Sequence, residues 1–278
     1  MTRIAVIGGG RIGEALLSGL LQSGFATKDL VVAEKAPARA EQLGREYAIR
    51  VTDSTADAAE GADVLVVAVK PGDVDAVIAD LASADLDSEN EQLLVSLAAG
   101  IPTARYENKL SAGFPVVRVM PNTPMLVGQG AIVLAAGRHV KSDHLELVRE
   151  VLGSVGAVSV VPESQIDAVT AVSGSGPAYF FLVAEAMIDA GVALGLTRAV
   201  ATELVVQTMT GSAAMLQQSG ESATDLRAAV TSPGGTTAAA IRELERGGVR
   251  TAFYEALEAA RQRSAQLGAA GEQGPTVA

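Results

Sequence analysis

Seven consecutive residues, Thr231-Ser232-Pro233-Gly234-Gly235-Thr236-Thr237, carry the groups best suited to grip a small acid. A Pro-Gly-Gly turn brings backbone close to whatever lies there, and Ala238-Ala239-Ala240-Ile241-Arg242-Glu243-Leu244 follows at once with residues that favour helix. Thr236 or Thr237 is therefore expected at the N-cap, its hydroxyl facing the unpaired amides of the first turn. Free N–H groups, the positive end of the helix dipole and neighbouring hydroxyls together make a seat for a carboxylate. An ordinary capped helix after a loop has the same composition, so the assignment depends on what the rest of the chain supplies.

The N-terminus supplies a cofactor turn. Arg3-Ile4-Ala5-Val6-Ile7 reads as a strand and breaks into Gly8-Gly9-Gly10-Arg11-Ile12-Gly13 before a helical pattern from Ala15 to Leu21. In that setting Gly8 allows the tight turn, Gly10 lets a pyrophosphate approach the backbone, and Gly13 lets the helix pack close to the strand. Glu34 ends the second strand, Leu30-Val31-Val32-Ala33, about 20 residues past the glycines, where an acid binds the adenosine ribose hydroxyls and favours NAD. Lys35 and Arg39 point the other way, since both are placed to pair with a 2′-phosphate if Glu34 turns away. NAD and NADP both stay open.

The elements that must position these groups alternate. Pro37 opens a helix to about Glu46, a strand follows near Ile49-Arg50-Val51, and Asp53 or Ser54 caps a short helix. Asp63-Val64-Leu65-Val66-Val67-Ala68-Val69 has the unbroken apolar character of a parallel strand covered on both faces. Lys70 at its carboxyl end either faces the cofactor or begins the next helix, with Pro71 at the first position. Ser83 to Gln92 reads as an exposed connection. Leu93 to Leu97 runs into Ala98-Ala99-Gly100, small residues at the same edge, and Val116 to Met120 runs into Pro121-Asn122-Thr123-Pro124. Asn122 either lines the nicotinamide end or simply turns the chain. Ala131 to Ala135, a helix near Asp143 to Leu152, and Val158 to Val161 complete the pattern expected of a Rossmann-type, doubly wound, mostly parallel sheet in residues 1–161.

After Pro162 the strand signals stop. Residues 162–267 are expected to be all-helical: a turn at Val172 to Pro177, an apolar helix from Ala178 to Ile188, a helix capped by Thr197 to about Gln218, one opened by Thr237 and closed by Arg246-Gly247, and one from Val249 to Leu267. The first is apolar nearly all round and needs enclosure that the remaining chain is too short to give, so a partner subunit is expected to cover it. The tail 268–278 is expected to lack order.

Composition narrows the chemistry. A chain of 278 residues with 49% hydrophobic content can bury a full core, and a net charge of −11 argues against nucleic acid. Zero cysteines exclude disulfides and thiolate nucleophiles, and two histidines leave little for a metal, so none is expected. With no long apolar run and no basic, cleavable start, the expectation is a cytoplasmic protein without membrane contact. Carbonyl reduction needs a positioned His, Lys or Tyr to supply a proton. No lysine follows Lys141, His144 falls on a helix expected to be exposed, and Tyr179 and Tyr254 read as core. An imine needs only a hydride once its nitrogen is protonated, and hydroxyl and backbone donors suffice to hold it.

Six ordered motifs make the chain closely resemble the pyrroline-5-carboxylate reductases over about residues 1–267: Gly8 to Gly13, Ala68-Val69-Lys70-Pro71, Met120 to Pro124, Asp167-Ala168-Val169-Thr170, Ser173 to Tyr179, and Thr231 to Thr237. The resemblance implies NAD(P)H-dependent reduction of 1-pyrroline-5-carboxylate to L-proline, the last step of proline synthesis. It also implies NADPH as donor with NADH as the alternative, and a helical domain that forms an intertwined homodimer, assembled in some members into a decamer. By motif, Thr237 matches the threonine whose hydroxyl meets the ring nitrogen, and Ser232, Gly235 and Thr236 match the loop holding the carboxylate. Glu163 looks like the acidic residue near the ring, and Ser175 like a residue shaping that pocket. Gly8, Gly9, Gly10, Arg11, Ile12, Gly13, Ala68, Val69, Lys70, Pro71, Ala98, Ala99, Gly100 and Asn122 match positions around the dinucleotide. Departures are Glu34-Lys35, where some members carry a small polar residue, and Thr55 and Ala229, where some carry asparagine. Two other readings remain: a hydroxyacid dehydrogenase, which needs a lysine in the helical part, and a non-catalytic dinucleotide-binding regulator.

Overall fold

The described residues form eight strands: β1 (Ile4–Ile7), β2 (Leu30–Ala33), β3 (Arg50–Thr52), β4 (Val64–Val67), β5 (Leu93–Ser96), β6 (Val116–Met120), β7 (Gly130–Ala136) and β8 (Gly156–Val160). They belong to a computed structural model that describes residues 2–84 and 92–273. The strands make one sheet in the order β3-β2-β1-β4-β5-β6-β7-β8. From β1 to β6 every pairing is parallel, but β7 runs antiparallel to β6, with Val117 opposite Ala136 and Met120 opposite Val133, and β8 then runs parallel to β7. The reversal has a simple cause. Only a 3₁₀ turn, Thr123–Val127, links β6 to β7, too little chain for the crossover that a parallel neighbour needs.

Helices α1 (Arg11–Gln22), α2 (Pro37–Tyr47), α3 (Thr55–Ala59), α4 (Val74–Ser83), α5 (Thr103–Glu107), α6 (Ser142–Gly153) and α7 (Ile166–Val169) accompany the sheet. Ile4 and Val6 of β1 pack into one core with Leu16, Leu17 and Leu20 of α1, while Ala5 and Ile7 enter a second core with Ile78 and Leu81 of α4. Burial on both faces explains why β1 and β4 are apolar throughout instead of alternating. Because the chain leaves β1 for β2 on one side and reaches β4 on the other, the carboxyl ends of β1 and β4 form the switch point where such sheets bind ligands.

Below that edge Ser96 Oγ lies 2.7 Å from the hydroxyl of Tyr106 and accepts from Ala98 N at 3.3 Å, so a buried pair supports the loop after β5. Burial pushes the Tyr106 hydroxyl up to about 12. The unfolded tyrosine ionises near 10, so the stability this group contributes is complete below about pH 10 and is lost as pH rises toward 12, by about 2 to 3 kcal/mol. Urea unfolding of Tyr106→Phe between these pH values is expected to lack that decline.

Packing divides the chain into two units, Met1–Ser175 with Ala260–Ala278, and Gly176–Ala259. The second unit contains α8 (Gly176–Ala193), α9 (Arg198–Gln218), α10 (Ala223–Ala229), α11 (Thr236–Arg246) and the first part of α12 (Val249–Gln273), whose residues from Ala260 on belong to the first unit. Thr197 caps α9 as its position suggests, accepting from Val200 N at 3.3 Å. Helix α10 is not foreseen, although Ser222 followed three residues later by Asp225 carries its signal: Ser222 Oγ accepts from Asp225 N at 3.2 Å.

Several expectations are revised. Val172 to Pro177 is no open turn; Thr170–Gly174 is π-helical, and Ser175 N donates to Thr170 O at 2.8 Å, so the stretch Glu163–Ala193 is one helical run. That run is long and apolar enough to cross a membrane by length and composition, which inspection of short apolar runs such as Val64 to Val69 misses. Helix α12 continues through residues 268–273, where Ala269-Ala270 follow Gly268 and no proline intervenes, while 274–278 lie outside the described residues. The connection expected over Ser83 to Gln92 largely does too, since Ser83 ends α4 and 85–91 are not described. His144 is buried, because its Nδ1 folds back to accept from Lys141 N at 3.2 Å at the start of α6. Tyr254 is 81% exposed, since its unit has almost no interior to receive it.

Within Gly176–Ala259 the buried residues are Gly176, Ala201 and Val205. Helices α8 and α9 approach closely at Gly191, where an added Cβ would lie 3.2 Å from that of Ala201. Phe180, Phe181 and Leu182 stand 65%, 69% and 66% exposed. A surface of that kind marks an interface.

Candidate active site

The glycine turn has the geometry its spacing predicts. Gly8 adopts φ +109°, and a Cβ there would lie 2.8 Å from Ala68 O. A Cβ on Gly13 would overlap Gly8 O, so α1 can sit this close to β1 only with glycine at that position. At Gly10 the space is open: no described atom lies within 4 Å of an added Cβ, and Gly10 is the N-cap of α1 without a side-chain cap among the described residues. First-turn amides, the dipole and an open approach fit a pyrophosphate.

Gly9 is clasped at both ends of its backbone. Its N–H donates to Glu34 Oε2 at 3.0 Å, and its carbonyl accepts from Arg39 Nε at 2.8 Å. Arg39 Nη2 also meets Glu14 Oε2 at 2.5 Å, and Glu14 Oε1 accepts from the Tyr47 hydroxyl at 3.3 Å. Burial, then the carboxylates of Glu14 and Glu46, push that hydroxyl above its ordinary range.

Two cavities open along the carboxyl edge. One, about 440 Å³, is lined by Gly8, Gly10, Glu34, Lys35, Thr55, Ala68, Val69 and Lys70, with Asp53, expected only as a candidate helix cap, and Asp73, for which the sequence suggests no role. The other, about 520 Å³, brings Pro71, Ala99 and Gly100 together with Ser175, and adds Thr170, Arg263, Ser264 and Leu267. Arg263 and Ser264 on α12 lie nearly a hundred residues from Asp167, yet Ser264 Oγ donates to Asp167 Oδ1 at 2.7 Å. Local patterning carries no trace of that link.

Other expected residues lie elsewhere. Arg11 and Ile12 begin α1 and line neither cavity, and Ala98 is buried beneath the edge. Asn122 ties segments together, donating from Nδ2 to Ser173 O at 3.1 Å and accepting from Ala131 N at 2.8 Å. Glu163 is likewise occupied: Thr103 donates to its carboxylate from N at 2.8 Å and from Oγ1 at 2.7 Å, and Arg118 Nη1 adds a contact at 3.3 Å. These contacts make Glu163 a clamp between α5 and the segment after β8. Among the described residues no group of three or more acidic or histidine side chains could hold a metal.

In the helical unit, Gly234 takes φ +72°, Gly235 N donates to Ser232 O at 3.0 Å, and Gly235, not a threonine, is the N-cap of α11. Thr236 and Thr237 therefore occupy the first two helical positions. Since glycine has no side chain to cap with, the first-turn amides stay available beside the Thr237 hydroxyl. Thr231 Oγ1 donates to Arg227 O at 2.6 Å and fixes the loop to the end of α10. Such a loop can hold a carboxylate by backbone N–H groups alone.

Comparison with known proteins covers both halves. Residues 163–267 match the family described as pyrroline-5-carboxylate reductase dimerisation, and 3–100 match the family described as NADP oxidoreductase, coenzyme F420-dependent. A pyrroline-5-carboxylate reductase of Mycobacterium tuberculosis is 58% identical over 96% of this chain and 97% of its own length. Among solved structures, the pyrroline-5-carboxylate reductase of Coxiella burnetii superposes with a TM-score of 0.91 at 38% identity, covering 96% of this chain and 98% of that one. The pyrroline carboxylate reductase of Plasmodium falciparum, solved with NADP bound, gives 0.82 at 30% identity, covering 96% and 98%.

Proposed function

The chain belongs to the pyrroline-5-carboxylate reductase family, and from that premise we propose how its own residues divide the work. It is an NAD(P)H-dependent oxidoreductase that reduces 1-pyrroline-5-carboxylate to L-proline, completing proline biosynthesis. The observation that carries the residue assignment is the pairing of an open, uncapped glycine turn at Gly10 with an uncapped helix start at Gly235. The first binds the dinucleotide and the second the imine carboxylate.

Residues 1–161 act as the dinucleotide-binding domain and 162–267 as the dimerisation and substrate-binding domain. Amides at the start of α11, with Ser232, Gly235 and Thr236 shaping the loop, hold the carboxylate. Thr237 places its hydroxyl on the ring nitrogen and so orients the C=N bond. The bound dinucleotide supplies the hydride. The carbon of the nitrogen-protonated imine would accept it, and the nitrogen, already carrying its proton, would become the amine of proline, so no side chain has to deliver a proton during hydride transfer. Gly8, Gly10, Thr55, Ala68, Val69 and Lys70 serve the dinucleotide along one cavity, with Gly9, Arg11, Ile12 and Gly13 completing the turn, and Pro71, Ala99 and Gly100 serve it along the other, where Ser175 shapes the imine pocket. The resemblance implies NADPH, with NADH as alternative; the choice lies with Glu34, Lys35 and Arg39. Glu163 and Asn122 support these elements from behind.

The apolar surface of α8 is buried against a second copy of the chain, not in lipid, and such dimers build the decamer; the enzyme works in the cytoplasm. Phe180→Asp is expected to weaken dimerisation at least about a hundredfold by burying a charge, read by light scattering across a dilution series. Incubation with 1-pyrroline-5-carboxylate and each reduced dinucleotide is expected to consume cofactor and form proline in equal amounts. Loss of neither cofactor would remove the assignment and leave the regulator reading. The hydroxyacid-dehydrogenase reading lacks its lysine, since none follows Lys141.

A further inference from the structure

We infer that this chain binds NADH in preference to NADPH, with Glu34 as the selecting residue and the Glu14–Arg39 ion pair as the device that withholds a competing cation. The inference rests on the dinucleotide site proposed above and deepens it. Glu34 is pinned from two sides: Oε1 accepts from Ala36 N at 2.8 Å and Oε2 from Gly9 N at 3.0 Å, while the side chain still lines the cavity at the glycine turn. A carboxylate so held keeps lone pairs for a ribose hydroxyl. A 2′-phosphate, carrying a charge of about −1.5 to −2, would bring oxygens against oxygens there.

Arg39 is the cation best suited to offset that repulsion, and all three of its nitrogens are engaged elsewhere. Nε donates to Gly9 O at 2.8 Å, Nη1 to Gln42 Oε1 at 2.8 Å and Nη2 to Glu14 Oε2 at 2.5 Å. It does not line the cavity. Swinging it there would strip Gly9 of its donor and leave Glu14, with a side chain only 26% exposed, without its counter-charge. Lys35 lines the cavity but is 69% exposed and 3.6 Å from Asp80, too loosely held to fix a phosphate by itself. Across the lining, two lysines, Lys35 and Lys70, face three carboxylates, Glu34, Asp53 and Asp73. The local field favours the dinucleotide with less negative charge.

The test is titration calorimetry of the full-length oligomer with NADH and with NADPH at one salt concentration, without imine. Wild type is expected to bind NADH about tenfold more tightly or better. Glu34→Gln, which keeps size and removes charge, should bring the two affinities together, with Glu34→Ser as a second variant should the first not fold. Glu14→Gln, on the far side of Gly9, should shift the ratio toward NADPH by freeing Arg39, and adding Arg39→Ala should cancel that shift. A merely structural Glu14 would weaken both dinucleotides alike. NADPH binding as tightly as NADH in wild type overturns the selection; an unchanged ratio in Glu34→Gln overturns the role of Glu34, and in Glu14→Gln that of the ion pair. Normal binding ratios without imine turnover would overturn the reductase assignment and leave this inference standing.

Discussion

Thr237→Ala is expected to lower kcat on 1-pyrroline-5-carboxylate by about two orders of magnitude, the loss expected when one positioned hydrogen-bonding group at a reacting centre, here a hydroxyl oxygen accepting from the ring N–H, is removed. Dinucleotide affinity should not change, because the residue belongs to the start of α11 and not to the glycine turn. Gly235 takes the N-cap and among the described residues no side chain makes a cap bond there, so α11 should keep its stability. Thr237→Ser, which retains the hydroxyl, should recover most of the rate. Full turnover by the alanine variant would remove the hydroxyl from the mechanism and leave orientation to the amides. Steady-state assays at saturating cofactor, with thermal melts as control, separate these outcomes.

A second large effect is expected at the other end of the reaction. Gly13→Ala would push a methyl group into Gly8 O, so α1 must move away from β1 or the turn must open. Either change displaces the amides that face the pyrophosphate, and dinucleotide affinity should fall about a hundredfold or more, with about 2 to 4 kcal/mol of stability lost to the strain. Gly10→Ala makes the contrast. No described atom is near its added Cβ, so the fold should melt as wild type does, yet the methyl group stands where the pyrophosphate approaches. Calorimetry and thermal melts together should therefore show Gly13→Ala losing both binding and stability and Gly10→Ala losing binding alone. Equal melting of the two would mean that the close packing at Gly13 contributes little.

What could be read from sequence was whatever depends on neighbours along the chain. The glycine turn, β1, β2, β4, β5 and the Thr197 cap follow from local spacing, and the structure has them within a residue or two. Contacts that join distant segments were not legible. The stretch around Asn122 does not show that its amide bridges Ser173 and Ala131, nor does the stretch around Glu163 show that Thr103 and Arg118 meet its carboxylate. Arg39 was readable only as a cation near the second strand; that Glu14 and Gly9 hold it is a property of three elements packed together. The direction of β7 depended on the length of one connection, which a run of strand-forming residues does not announce.

The scarcity of interior in Gly176–Ala259, where burial reaches only Gly176, Ala201 and Val205, has a consequence for how the enzyme comes into being. A segment so poor in core cannot fold first and pair afterwards with much free energy to spare, so ordering and pairing of chains become one event whose equilibrium includes protein concentration. Heat denaturation should then shift upward on concentrating the sample, and freshly translated chains at low abundance would remain open to proteases until another copy arrives.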